Sequence, residues 1–260
     1  MPLVNYSKDR GVAVFELHAP PANTYSYEMM KELDAAILDA RMDEHVHVLV
    51  LTGAGEKFFC SGADINMLNR ATPEFKYSFC LHANETLNRL EQTPKLVIAA
   101  LNGHTVGGGL EVALAADLRV AKKDGGKIGL PEVKLGVLPG TGGTQRLARL
   151  LGRSRAIELM VTGRLMSFDE AQALGLVNAF LEGERFRENA LDYAAAFVPP
   201  QKASMAVGRI KRAVTSGLEA AFSEGLALER ELQQQLFLSN DAREGISAHV
   251  EKREPRFQGS

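Results

Sequence analysis

"KLVIAALNGHTVGGGLEVALAADLRVA", residues 95–121, holds a change of periodicity. Residues 95–103 form a short apolar run ending in Asn-Gly, which reads as a buried strand. After Gly109 the apolar residues recur at helical spacing, and "DLRVA" (117–121) returns to a short strand. Strand, glycine turn, helix and strand within 27 residues indicate an α/β fold. Glu111 stands in the first turn of that helix, directly after Gly107, Gly108 and Gly109. An acid there meets the positive end of the helix dipole, worth roughly 0.3–1 kcal/mol. The alternative is that Glu111 serves a substrate that the glycines admit close to the backbone.

Outward from this stretch the alternation continues. "GVAVFEL" (11–17) and "VHVLVLT" (46–52) read as strands. Between them Ser26 precedes Met29, Leu33, Ile37 and Ala40, a capped amphipathic helix. A helix is expected around 74–91, ended by Pro94. Residues 125–143, "GGKIGLPEVKLGVLPGTGG", contain seven glycines and two prolines and exclude a regular helix. Helical spacing resumes at "TQRLARLLGRSRAIELMVTG" (144–163), "LGLVNAFL" (174–181) suggests a strand, and the chain is helical from about 185. Pro199–Pro200 interrupts it, and the last helix is expected to start at Asp241, with Glu244 in capping-box spacing.

Composition narrows the function. The 260 residues are 45% hydrophobic, enough for a sizeable core, and the net charge of −2 offers no basic excess for a nucleic-acid partner. Cys60 and Cys80 are the only cysteines; they could form one disulfide, but they lack metal-ligand spacing, so reduced buried thiols and no metal site are expected. The six histidines show no H-x-x-x-H pattern, and His45 and His47, at a strand edge, read as structural. "LTGAGEKF" (51–58) carries Phe58 where a dinucleotide fingerprint needs its third glycine. "GTGGTQRL" (140–147) lacks a P-loop lysine, and no G-x-S-x-G elbow exists. No apolar run approaches membrane-spanning length, and residues 1–17 resemble neither a signal nor a transit peptide. A cytoplasmic location follows as the expectation; a mature organellar form would look the same.

What remains are two glycine turns, "CSGADI" (60–65) and "GHTVGGGLE" (103–111), and a second acid, Glu132, in the Gly/Pro loop "LPEVKLG" (130–136). Glycine turns after strands leave backbone N–H groups available, as an oxyanion site requires. Two carboxylates facing one pocket can divide acid and base duties. Spacing alone does not bring the turns together.

"FFCSGADI", "NGHTVGGGLEVALAADLRVA", "LPEVKLGVLPGTGGTQRL", "ALGLVN" and "REGISAHVEKR" together resemble the enoyl-CoA hydratase/isomerase (crotonase) superfamily, in order and across the whole chain. The resemblance implies a spiral of ββα units over residues 1–198, carrying an acyl-CoA site. It also implies a C-terminal helical trimerisation segment over 199–260 and a homotrimer or a homohexamer of two trimers. By motif position, the N–H groups of Ala63 and Gly108 would hold the thioester oxygen as an oxyanion hole. A Cβ at Gly108 would crowd that oxygen. Glu111 would activate water for attack at C3, and Glu132 would exchange the proton at C2. Coenzyme A is then part of the substrate and no separate cofactor is implied. Phe59, Cys60, Ser61, Gly62, Asp64, Ile65, Gly107, Pro131 and Gly140 would line the acyl-CoA path, and Lys252 would meet a CoA phosphate. His249 and Asn66 depart from the usual residues at their positions.

Related isomerases generally lack an acid at the position of Glu111, so a hydratase is favoured over a Δ3,Δ2-enoyl-CoA isomerase. Hydration of a branched, 3-methylglutaconyl-type thioester is a further alternative, and an inactive structural relative is disfavoured by the presence of both glutamates. A few relatives bind RNA through a lysine-rich first helix. Here that helix sets Glu28, Glu32, Asp34, Asp39, Asp43 and Glu44 against Lys31 and Arg41, and no RNA binding is expected.

Overall fold

A computed structural model describes residues 1–260. The chain runs β1 (Val4–Asp9), β2 (Val12–Leu17), α1 (Tyr27–Met42), β3 (Val48–Gly53), β4 (Phe58–Cys60), α2 (Ile65–Arg70), α3 (Pro73–Glu91), β5 (Leu96–Leu101) and β6 (His104–Val106). It continues through α4 (Gly108–Leu114), β7 (Leu118–Lys122), β8 (Lys127–Gly129), a 3-10 turn (Glu132–Leu135), α5 (Gly143–Leu151) and α6 (Arg153–Thr162). The remainder is β9 (Met166–Ser167), α7 (Phe168–Ala173), β10 (Ala179–Leu181), α8 (Phe186–Ala195), α9 (Ser204–Gly217), α10 (Phe222–Phe237) and α11 (Asn240–Glu251).

Two sheets share the strands. The larger has the order β1-β2-β3-β5-β7-β10 and the smaller β4-β6-β8-β9. Apart from the β1–β2 and β8–β9 pairs, neighbours are parallel. β3, β5 and β7 each lie in the large sheet, and the strand after each turns into the small one. The chain therefore advances as repeated strand–strand–helix turns, the ββα spiral. Where it leaves the large sheet the backbones nearly touch. A Cβ on Gly53 would lie 2.3 Å from the Phe58 carbonyl oxygen, and one on Gly103 2.3 Å from that of Lys57. Asn102 locks the first exit: its Oδ1 accepts from Gly53 N (3.0 Å) and its Nδ2 donates to Gly55 O (2.8 Å). That is what the G-x-G of residues 53–55 does here, a strand-to-strand turn with no helix behind it.

The large sheet is covered on both faces, which explains its continuous apolar strands. In β3, Leu49 and Leu51 join the main core with Met30, Leu33 and Ile37 of α1 and Leu87 of α3. Val48 and Val50 point the other way, onto Phe186, Ala190 and Ala194 of α8. Ser26 caps α1 by accepting from Met29 N (3.3 Å), as its position before the apolar periodicity indicates. Thr72 caps α3 with Pro73 in its first turn.

Three local expectations change. Residues 174–178 turn after α7, and only Ala179–Leu181 form a strand. Residues 144–163 are two helices, because Gly152, at φ +79, separates them. The last helix is capped by Ser239, whose hydroxyl accepts from Ala242 N (3.0 Å). Asp241 is buried and accepts instead from Gln258 N and Gly259 N, pinning the C-terminal tail. Glu244 binds Arg253 and Arg256 N, which removes it from any capping box.

The segment beyond Pro200 meets the sheet through α9. Gly208 packs directly on Pro94, where a Cβ would come within 2.3 Å of the carbonyl oxygen. Lys211 reaches Asp117 at the start of β7 (2.8 Å). No helix is long and apolar enough to cross a membrane. No group of three or more histidine, cysteine or acidic side chains is arranged to hold a metal, and both cysteines are free thiols.

Candidate active site

The two glycine turns converge because β4 and β6 are parallel neighbours in the small sheet. Gly62, at φ +93, brings its turn so close to the next that a Cβ there would sit 3.0 Å from Gly108 N. Tyr25 stitches the first turn: its N–H donates to Gly62 O (2.9 Å) and its carbonyl accepts from Asp64 N (3.0 Å). Ala63 lies between those two bonds with its own N–H outside them. Neither the Ala63 nor the Gly108 N–H enters a main-chain hydrogen bond. Gly108 opens α4, so its N–H is one of the donors a helix N-terminus leaves unpaired.

The glycines of this turn have separate causes. Gly107 adopts φ +58, and a Cβ on it would stand 3.0 Å from a Glu132 carboxyl oxygen. At Gly108 a Cβ would clash within the protein as well, 2.2 Å from the Tyr25 hydroxyl oxygen. On Gly109 it would meet the Cys60 carbonyl oxygen at 2.0 Å, so α4 and β4 touch backbone to backbone. Gly109→Ala must push α4 away from β4. Overpacking of this kind costs about 1–3 kcal/mol, and thermal unfolding should show a Tm lowered by roughly 2–4 °C per kcal/mol.

Glu111 is buried at the floor of the site. Its Oε1 accepts from Thr141 N and Gly143 N, both at 2.8 Å, and its Oε2 accepts from the Thr141 hydroxyl. Because that hydroxyl donates to Glu111, its oxygen accepts from Tyr25 OH at 3.2 Å. Burial and the nearby Glu111 charge hold the Tyr25 phenol well above its ordinary pKa, so it stays protonated as the donor. Oε1 thus has both lone pairs used, while Oε2 retains one for another partner. Gly143 permits this clamp, since a Cβ on it would press within 3.0 Å of the Glu111 side chain. At the far end of α4, Arg119 donates to Ala116 O (2.8 Å) and Leu176 O (2.7 Å), fixing the segment that carries Glu111.

Glu132 begins the 3-10 turn after Pro131. Its Oε2 is buried without a hydrogen-bond partner. Burial, with Glu111 adding to it, raises its pKa to about 7, against the opposing pull of its own backbone N–H and Lys76. A half-buried carboxyl with one oxygen unpaired and a pKa near neutrality is equipped to pass a proton.

One cavity of about 110 Å³ collects these groups. It is lined by Glu111, Glu132, Ala63, Gly108, Ser61, Gly62, Ile65, Gly107, Pro131 and Gly140, ten of the residues singled out by motif. Four others do not line it. Phe59 and Cys60 are fully buried with side chains in the core, where burial raises the Cys60 thiol to about 12. Asp64 caps α2 by accepting from Asn66 N (2.7 Å). Lys252 ends α11 in a left-handed conformation on the exposed surface, with His249 exposed one turn before it.

The motifs missed Tyr25, Thr141 and Lys76, together with the apolar wall of Leu68, Val106, Leu135, Val137 and Leu138. Thr141, a polar residue set between Gly140 and Gly142 opposite an acid, was the one with a readable signal.

A family described as "Enoyl-CoA hydratase/isomerase" matches residues 7–260. The chain is 37% identical over 247 residues to the short-chain-enoyl-CoA hydratase of Clostridium acetobutylicum, covering 95% of this chain and 94% of that one. It is 35% identical over 257 residues to the mitochondrial methylglutaconyl-CoA hydratase of Homo sapiens, covering 97% and 75% respectively. Among solved structures, "Enoyl-CoA hydrates" from Geobacillus kaustophilus HTA426 superposes with a TM-score of 0.96 at 46% identity, covering 100% of this chain and 98% of that one. The chain belongs to the enoyl-CoA hydratase/isomerase family.

Proposed function

We propose that the protein is an enoyl-CoA hydratase that adds water across the 2,3 double bond of a 2-trans-enoyl-CoA to give a 3-hydroxyacyl-CoA. The observation that carries this reading is the placement of two carboxyl groups in one cavity with the unused N–H groups of Ala63 and Gly108. The thioester oxygen sits between those N–H groups, which stabilise the enolate as charge develops on it. Ionised Glu111 uses the free lone pair of Oε2 to hold the water and takes its proton as the oxygen bonds to C3. Glu132, neutral before reaction, gives its proton to C2. One proton enters the pair and one leaves, so the pair carries a single proton throughout. The reaction is redox-neutral, and these groups supply every proton it needs; no cofactor is invoked beyond the coenzyme A of the substrate.

Isomerisation of a 3-enoyl-CoA would need only one carboxylate to move a proton. The clamp of three donors on Glu111 favours hydration, because it orients a second carboxylate that isomerisation leaves idle.

The pH dependence tests the shared proton. Above about 7 Glu132 ionises and the singly protonated pair is lost. kcat/KM for hydration should therefore decline as pH rises through about 7. Dehydration of the product should show the same limb, since the overall equilibrium exchanges no proton with solvent. Steady-state rates in both directions between mildly acidic and alkaline pH check this. A profile flat across neutrality in wild type would remove Glu132 as the acid.

A further inference from the structure

A separate cavity of about 390 Å³ opens where α9 docks beside the turn between α3 and β5. It shares no residue with the catalytic cavity. Lys76 lines the one and Glu91 the other, and α3 between them, at 1.5 Å per residue, spans roughly 22 Å. The wall of this second cavity has no hydrophobic residue beyond Pro94. It carries three cations, Arg209, Lys211 and Arg212, and a single acid, Glu91.

The acids within reach are already committed. Glu91 Oε2 accepts from an Arg146 guanidinium nitrogen (2.9 Å), and Asp117 holds the Lys211 ammonium (2.8 Å). Arg209 and Arg212 pair with no carboxylate of the chain. Arg209 is half-buried, and its Nε is buried without a hydrogen bond to any group. Arg212 is exposed at the rim. A chain of net charge −2 thus sets two uncompensated guanidiniums one turn apart on the same face of α9. Thr215 and Ser216 add hydroxyls to that face one turn further on. Like charges so placed repel, and a buried guanidinium N–H without an acceptor is costly. A dianion removes both penalties.

We propose that this cavity binds a phosphate group as its dianion, free or at the end of a small metabolite. Two guanidiniums match its charge, and their planar forks match its oxygens in pairs. An occupant would bridge α9 and the turn after α3, the joint that Gly208 makes on Pro94 and Lys211 on Asp117. Binding there should therefore stabilise the folded chain. The inference does not depend on the hydratase reading.

The test is calorimetric titration of the full-length protein with inorganic phosphate and with glycerol 3-phosphate. It is run at mildly alkaline pH, with ionic strength held constant by chloride. Saturable binding is expected, with a Tm that rises with occupancy. Tighter binding of glycerol 3-phosphate assigns the site to a monoester, and tighter binding of phosphate to the free ion. Arg209→Gln and Arg212→Gln should each weaken binding by about tenfold or more, the scale of a lost charge-assisted hydrogen bond. Turnover of crotonyl-CoA should stay at its wild-type value in both. No binding by wild type beyond that of chloride overturns the proposal whatever the variants do, and is the result if a second copy of the chain covers the cavity. Binding that both variants keep would mean an adventitious ion only. A KM for crotonyl-CoA raised in both variants would make the cavity a seat for a CoA phosphate and overturn the separate site.

Discussion

Glu111→Gln and Glu132→Gln should each lower kcat for hydration of a short 2-enoyl-CoA by roughly 10²–10⁴, the contribution of one general acid or base. The two substitutions fail for different reasons. In Glu111→Gln the amide oxygen can still accept from Thr141 N and Gly143 N, so that half of the clamp is kept. The new NH₂ group would face the Thr141 hydroxyl in place of an acceptor, and it cannot take a proton from water. Glu132→Gln leaves an uncharged side chain of the same size where Oε2 already lacks a hydrogen-bond partner, and the amide has no acidic proton to give C2. Binding of the product thioester should change much less than kcat in both variants, because neither alters the N–H groups of Ala63 and Gly108. Single-turnover rates with measured product affinity separate the two effects. Near-normal hydration by either variant would contradict the division of labour.

Lys211→Met should destabilise the fold by about 3–5 kcal/mol, the cost of leaving one member of a buried pair uncompensated. Lys211 is nearly inaccessible, and its ammonium holds Asp117 Oδ2 at 2.8 Å while also donating to Lys95 O at 3.1 Å. Asp117 in turn accepts from Val97 N at 2.7 Å. Burial raises the Asp117 pKa even against the pull of Lys211, and burial lowers that of Lys211 even against Asp117. The pair is therefore expensive to bury, and its effect is to set α9 in register on β5 and β7. Without Lys211, Asp117 is neutralised more readily, so its raised pKa makes the variant relatively more stable at low pH. The gap to wild type should shrink as pH falls from neutral toward about 5. Adding Asp117→Asn to Lys211→Met should recover part of the loss, since the amide oxygen can accept from Val97 N. Denaturant unfolding at two pH values reads both effects.

The longer elements were legible because their apolar periodicity extends over several turns or pleats. α1 follows from Met29, Leu33 and Ile37 on one face behind Ser26, and β3 and β5 from unbroken apolar runs. The small sheet was not legible. β4, β6 and β8 are three residues each, lie beside glycine turns and pair within a sheet of short strands, so no repeating pattern marks them. β1 is an edge strand with polar outward residues and lacks an apolar run for the same reason. At the site, Glu111 and Glu132 stood out as acids among glycines. The donor set on Glu111 did not, because Thr141 and Gly143 come from a loop 30 and 32 residues away. Gly108 has a cause that no motif shows: its missing side chain makes room for Tyr25, 83 residues earlier, a contact visible only in three dimensions.

The most direct test of the two-carboxylate site is incubation of the purified protein with crotonyl-CoA and no added cofactor, following loss of the enoyl thioester absorbance and identifying the product. Glu111 and Glu132 acting together predict rapid loss and formation of 3-hydroxybutyryl-CoA. An unchanged crotonyl-CoA signal, with 3-butenoyl-CoA converted to the conjugated 2-enoyl thioester in the same preparation, would contradict it and leave Glu111 without a catalytic part.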